Sequence, residues 1–186
     1  NSMSKLVNLF GGPGIGKSSI TSGVFYELKR NHINCNSPYE FAKKLAWDNN
    51  VPAIKDQLYV LGNQHRGIAE CYGKVDYIIV DSPVLLSLVY KTWYGKGYPA
   101  EFYSESFNQM IIDLHNNYDN LNILLERTEG KHNDDERYQN LEESIKIDAH
   151  CKKILDDNNV DYYTLRVDET TVDKIIKLIL TNIWDW

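Results

Sequence analysis

Sulfur is scarce in this chain: 186 residues include three cysteines and two methionines. Cys35, Cys71 and Cys151 lie far apart, an odd set with neither a disulfide framework nor zinc-ligand spacing. The five histidines form no i,i+4 pair, so no Cys/His metal centre is expected, and a reducing cytosol is the expected compartment. No run of about 18 apolar residues exists, so no membrane-spanning helix is expected. The first 30 residues lack an apolar stretch of the signal-peptide kind, and Asn1-Ser2 before Met3 reads as the remnant of an expression tag. Positive charge is in deficit, with 20 Lys+Arg against 26 Asp+Glu and a net charge of −6. That excludes a globally basic nucleic-acid footprint and leaves room only for a local patch. The apolar share of 42% and charged share of 25% are ordinary for a globular domain and exclude a disordered tail, a collagen-like fibre or a coiled coil. The length suffices for a buried core without staples, and one domain over residues 1–186 is expected.

Helical and strand patterns alternate along the whole chain, the signature of an α/β fold with a mostly parallel sheet. Strands are expected at Lys5–Phe10, Ile33–Asn36, Val75–Asp81, Leu121–Glu126 and Tyr162–Val167. Helices are expected from Lys17 to about Asn31, at Pro38–Asp48, Ala53–Tyr72, Pro83–Thr92, Ser104–Tyr118, Arg137–Asp157 and Thr171–Ile183. Trp93–Phe102 reads as an aromatic loop and Thr128–Glu136 as a hydrophilic one. No repeat, linker or low-complexity tract interrupts the pattern.

Gly11-Gly12-Pro13-Gly14-Ile15-Gly16-Lys17-Ser18 fits G-x-x-x-x-G-K-[ST]. A strand runs into it and a helix leaves it, which is the context the motif needs. The glycines let backbone N–H groups wrap a phosphate, and the helix N-terminus favours an anion. Gly11 to Ser19 is thus the candidate nucleotide site, with Lys17 on the β- and γ-phosphates of ATP and the Ser18 hydroxyl on Mg²⁺.

A second apolar strand ends in an acid, Tyr77-Ile78-Ile79-Val80-Asp81. Such an acid holds the Mg²⁺ shell or contacts the acceptor, or it caps the next helix. The residues after it separate the subclasses. A motor-type ATPase places a water-activating Glu there, and this chain has Ser82-Pro83. A GTPase would show D-x-x-G, but Val84 stands at the glycine position, and N-K-x-D is absent. What remains is a kinase, in which the attacking oxygen belongs to a bound acceptor.

A kinase must exclude water from the transfer, commonly with an arginine-bearing lid. Residues 127–138 have the placement of such a lid, after the fourth strand and before a helix. Arg127 and Arg137 at its edges could clamp phosphates and stabilise transferred charge, or pair with Asp134, Asp135 and Glu136.

On these segments, with Tyr39-Glu40-Phe41-Ala42-Lys43 and Asp56-Gln57-Leu58-Tyr59, the chain resembles the P-loop kinase group of nucleoside, nucleotide and ribosylnicotinamide kinases. More narrowly, it resembles small phage-encoded proteins labelled AAA-domain or nucleotide-kinase-like, some of which phosphorylate 5-hydroxymethyluracil in DNA. The resemblance implies a three-layer P-loop NTPase fold of the nucleoside/nucleotide kinase type, with a five-stranded parallel sheet in the order 2-3-1-4-5. It implies location in a host cytoplasm if phage-encoded. Two features depart from the better-known relatives. Ser82 replaces an Arg after the third-strand acid, and Glu136-Arg137 replaces a Gly-Arg step in the lid.

The acceptor in such a fold lies across the carboxyl ends of the strands. Glu40 resembles the acid that takes the hydroxyl proton in deoxynucleoside kinases, competes with Asp81 for that role, and also suits the first turn of a helix. Lys43, one turn on, could hold an anionic group or simply be solvated. Gln57 and Gln64 are seven apart and share a helix face, so their amides could pair with a base edge. Tyr90, Trp93, Tyr94, Tyr98, Phe102 and Tyr103 surround Lys91 and Lys96. Such interleaving could stack bases, with Trp93 the leading candidate, or form a small satellite core. The reading from sequence is an ATP- and Mg²⁺-dependent phosphotransferase acting on a nucleoside, a nucleotide or a modified base in DNA. The alternative is a regulatory P-loop ATPase module.

Overall fold

The computed structural model describes residues 3–38, 56–93, 105–129 and 141–183. The expected helix over Pro38–Asp48 therefore falls almost wholly outside the described residues, as do Glu40, Lys43, Arg137 and most of the aromatic loop.

Strand β1 (Lys5–Phe10) is the centre of the sheet. It pairs in parallel with β3 (Tyr77–Val80) on one side and with β4 (Asp119–Glu126) on the other. β2 (Cys35–Asn36) adds to β3, and β5 (Tyr163–Arg166) adds to β4. The order is β2-β3-β1-β4-β5, as the resemblance implied. Parallel strands covered on both faces need apolar residues on both, and β1 shows this: Val7 and Leu9 face one layer, Leu6 and Phe10 the other.

The first layer consists of α1 (Lys17–Arg30) and α6 (Thr171–Ile183), whose Ile20, Val24, Leu28, Ile175 and Ile179 pack on Val7, Leu9, Ile79 and Ile123. Gly23 allows these two helices to approach, since a Cβ there would lie 2.8 Å from Val172 Cγ2. The second layer holds α2 (Gln57–Cys71), α3 (Leu86–Trp93), α4 (Glu105–Asn116) and α5 (Leu141–Asp157). Its core joins Leu61, Ile68, Leu85, Ile111, Ile147 and Leu155 to Phe10, Ile78 and Leu124. Among the described residues, no helix is long and apolar enough to cross a membrane.

Several boundaries differ from expectation for local reasons. Ile33 does not open β2. Its N–H donates to Leu28 O at 2.9 Å, and that of His32 (φ 59) to Lys29 O at 3.0 Å. This double bond pattern caps α1 and uses the residue the strand would have taken. α2 starts at Gln57 rather than Ala53, because the Asp56 side chain accepts from Tyr59 N at 3.1 Å and acts as N-cap. α3 starts at Leu86 rather than Pro83. The intervening residues form tight turns in which Leu86 N donates to Pro83 O and Ser87 N to Val84 O. Trp93 belongs to α3 rather than opening a loop, and it packs half-buried against the second core layer.

Candidate active site

The loop between β1 and α1 is built by two left-handed glycines, Gly14 (φ 75) and Gly16 (φ 108). At these angles a Cβ would strain the backbone, so the motif's glycines are conformational requirements. Gly16 is also the N-cap of α1. It offers no side-chain cap, and the first turn carries no acid. The first N–H groups of α1 thus face the loop with their positive field uncompensated by an acid in that turn, which suits an anion. Ser18 and Ser19 lie at this end, Ser18 half-buried and Ser19 exposed. The Lys17 ammonium folds back onto the loop, donating to Gly11 O and, at 3.4 Å, to Gly12 O. Ile15 is buried and anchors the loop against Gly11.

Asp81 follows β3, whose Val80 is in register with Asn8 of β1. The acid and the phosphate loop therefore leave the same edge of the sheet from adjacent strands. Asp81 is 8% exposed and Ser82 7%, so a carboxylate is held nearly dry beside the loop. The first residue of α3 comes five positions later, at Leu86, so Asp81 does not directly precede that helix.

Arg127 takes a different position from a free lid arginine. Its Nε donates to Asp148 Oδ2 at 2.8 Å, and its Nη2 donates to Asp148 Oδ1 at 3.1 Å and to Pro13 O at 2.9 Å. Asp148 Oδ1 in turn accepts from Gly12 N at 2.6 Å. Among the described residues, the ion-pair partner of Arg127 is thus an acid of α5; the lid acids Asp134, Asp135 and Glu136 lie outside the described residues. Sequence reasoning missed Asp148. A signal existed, because this acid interrupts the buried stripe of Ser144, Ile147, Cys151 and Leu155 on an amphipathic helix. Cys151 lies one turn on, and burial pushes its thiol up to about 12, against the opposing pull of Lys17.

Gln57 and Gln64 do share one face of α2, and it is the buried face, with Val60, Leu61, Ile68 and Cys71. Lys91 is half-buried and donates to Asn108 Oδ1. Burial lowers its pKa, opposed by Glu105. Trp93 and Lys91 therefore lie against neighbouring helices. Among the described residues, no cluster of His, Cys, Asp or Glu has the make-up of a metal centre on its own. The donor set, the Ser18 hydroxyl in the first turn of α1 and the Asp81 carboxylate just after the adjacent strand β3, has the chemistry that suits a hard cation such as Mg²⁺ shared with phosphate oxygens.

A parallel sheet of this order, with helices on both faces and a glycine loop leading from β1 into α1, defines the P-loop fold of nucleoside and nucleotide kinases. The chain belongs to the AAA domain family, whose match runs over residues 6–171. Its fold is similar to that of a NadR protein solved in complex with NR, with a TM-score of 0.66 and 16% identity over 96% of this chain. The chain spans about half of that protein, 51% of its length. It is also similar to thymidylate kinase from Candida albicans (TM-score 0.62, 17% identity, 98% of this chain and 94% of that one). A third similar structure is deoxyadenosine kinase from M. mycoides with bound dATP (TM-score 0.55, 16% identity, 96% and 98%). No curated protein matches the sequence.

Proposed function

We propose that the protein is an ATP- and Mg²⁺-dependent phosphotransferase that moves the γ-phosphoryl group of ATP to a hydroxyl acceptor. The observation that carries this reading is Asp81. It is a nearly dry carboxylate just past the end of the strand adjacent to β1, followed by Ser82-Pro83 where a hydrolytic ATPase would place its water-activating Glu. Solved kinases of the same fold support it.

The roles follow from the chemistry of the residues. Backbone N–H groups from Gly14 to Ser19 bind the phosphate chain, and Lys17 moves from the Gly11 and Gly12 carbonyls to neutralise charge on the transferred group. Ser18 and Asp81 would hold Mg²⁺, which supplies charge neutralisation at the phosphate oxygens. The acceptor oxygen attacks the γ-phosphorus, the bond to the bridging oxygen breaks, ADP leaves, and the hydroxyl proton passes to Asp81 or Glu40. Arg137 is assigned to the lid on sequence grounds, and Lys43 with Gln57 and Gln64 to the acceptor side.

Acceptors in scope are a nucleoside, a nucleotide or a hydroxymethyl-pyrimidine in DNA, with 5-hydroxymethyluracil the sharpest case. A DNA acceptor would need phosphate contacts that an acidic chain supplies only locally. Such transfer should weaken with salt as counterions are released. The test incubates the protein with labelled ATP and panels of nucleosides, nucleotides and modified DNA. Label transferred to one acceptor class supports the reading. ATP turnover that no acceptor stimulates would favour the regulatory ATPase module instead.

A further inference from the structure

The helix after the lid segment runs against the base of the phosphate loop. From α5, Ser144, Asp148 and Cys151 stand at i, i+4 and i+7 and meet Gly11 and Gly12. Asp148 binds the Gly12 N–H at 2.6 Å, and Arg127 binds both oxygens of Asp148 and the Pro13 carbonyl. One carboxylate therefore holds a loop donor, and its ion-pair partner holds a loop acceptor one residue on. Arg127 lies just beyond the end of β4 and Asp148 within α5, so residues from both sides of the lid segment in the chain meet the adjacent loop residues Gly12 and Pro13.

Two arrangements of this kind have opposite consequences. A movable carboxylate would plug the phosphate site and leave when a nucleotide enters. A fixed one would brace the loop from behind. The surroundings select the brace. Gly12 precedes the left-handed Gly14 and Gly16 in the chain, on the strand side of the turn and helix end that suit an anion. Gly12 and Ser144 are buried, and the α5 backbone is so close that a Cβ on Gly12 would lie 2.6 Å from Ser144 O. The side chain of Arg127 is 9% exposed and that of Asp148 19%, and the guanidinium neutralises the acid beside a site that must attract anions.

We propose that Asp148 is a positioning residue, which with Arg127 braces Gly12 and Pro13 so that the donors from Gly14 to Ser19 stay aimed at a polyphosphate chain. This rests on the nucleotide-binding reading above and assigns Arg127 to the same brace.

The test is a double-mutant cycle read by calorimetric binding of Mg·ATP and of inorganic tripolyphosphate. It uses Asp148→Ala, Arg127→Ala and the double variant, each well below its own melting temperature. Each single change is expected to weaken both ligands by about 10- to 100-fold, and the double change no further than the worse single one. Asp148→Asn keeps an acceptor for Gly12 N and should recover part of the loss. If Asp148→Ala does not fold, Asp148→Asn with Arg127→Lys completes the same cycle, since Lys keeps charge but not the two-pronged contact. A merely structural role predicts lower melting temperatures with wild-type affinities in the folded protein, and that result overturns the proposal. Additive losses, or weakened ATP with unchanged tripolyphosphate, overturn it as well while leaving the nucleotide-binding reading intact. A wild-type protein that binds neither ligand removes both.

Discussion

Gly12 and Ser144 approach so closely that any side chain at residue 12 must displace α5. A Cβ there would stand 2.6 Å from the Ser144 carbonyl oxygen and 2.5 Å from Asp148 Oδ1. The first of these atoms is backbone in the buried first turn of α5 and cannot swing aside as a side chain could. Gly12→Ala should therefore lower the unfolding free energy by about 1–3 kcal/mol, seen as a reduced urea midpoint. A wild-type midpoint would mean that α5 can retreat without cost.

Lys17→Ala should abolish phosphoryl transfer while leaving the fold in place. Lys17 donates to the loop carbonyls of Gly11 and Gly12, bonds that water can replace at the partly open site. Loss of its charge at the transferred group should slow turnover by at least about 100-fold. Circular dichroism checks the fold in the same preparation. Near wild-type turnover would remove the loop from the reaction.

Asp81→Asn should be crippled, because either the Mg²⁺ shell or the base is lost. Glu40→Gln should be impaired only if Glu40 takes the acceptor proton. Rate constants for the two variants against a transferring acceptor decide between them. An unaffected Glu40→Gln leaves Asp81 as the base.

His115 gives the folded state a defined sensitivity to acid. The ring is 4% exposed, and burial lowers its pKa from 6.5 to about 4. The unfolded chain takes up this proton near pH 6.5 and the native protein only near 4, so the unfolded state holds more protons in between. Its contribution to stability is complete above the upper value and is lost as pH falls through that window, by up to about 3 kcal/mol. Burial shifts His65 and His150 in the same direction. Comparing wild type with His115→Leu by urea unfolding at pH about 7 and about 4.5 isolates this ring. Equal losses in both proteins would exclude it as a source.

The phosphate loop was legible because its chemistry is local. Glycine spacing, one lysine and a strand-to-helix setting are all written within Gly11–Ser18. The α/β class was legible from the alternation of patterns, whereas strand order came from the resemblance. Asp148 was not singled out, because its role exists only once the loop after β1 and helix α5 bring residues 136 positions apart within one hydrogen bond of each other. Trp93 was placed in a loop by the glycines after it, but its helix continues through that position and turns the indole toward the core. The length of β2 was misjudged because the cap of α1 reaches two residues past Asn31, the helix's C-cap.

The three asparagines of the central strands carry a consequence for how the sheet aligns. Asn8 of β1 sits opposite Asn122 of β4, and its amide donates to Asn122 Oδ1 and to Asn120 Oδ1, each at 2.9 Å. Asn122 passes the chain on to Asp161 O at 3.1 Å, and Asn120 donates to His115 O at 2.7 Å. β4 is apolar on both sides, with Leu121, Ile123 and Leu125 in one layer and Leu124 in the other. Greasy side chains alone would thus discriminate poorly against a one-residue slip. A slip would turn Asn122 into the opposite layer and leave several buried amides without partners, each costing about 1–3 kcal/mol. The asparagines act as a vernier between the two middle strands: they penalise misalignment where hydrophobicity is indifferent, and so fix which residues of β4 end level with the phosphate loop.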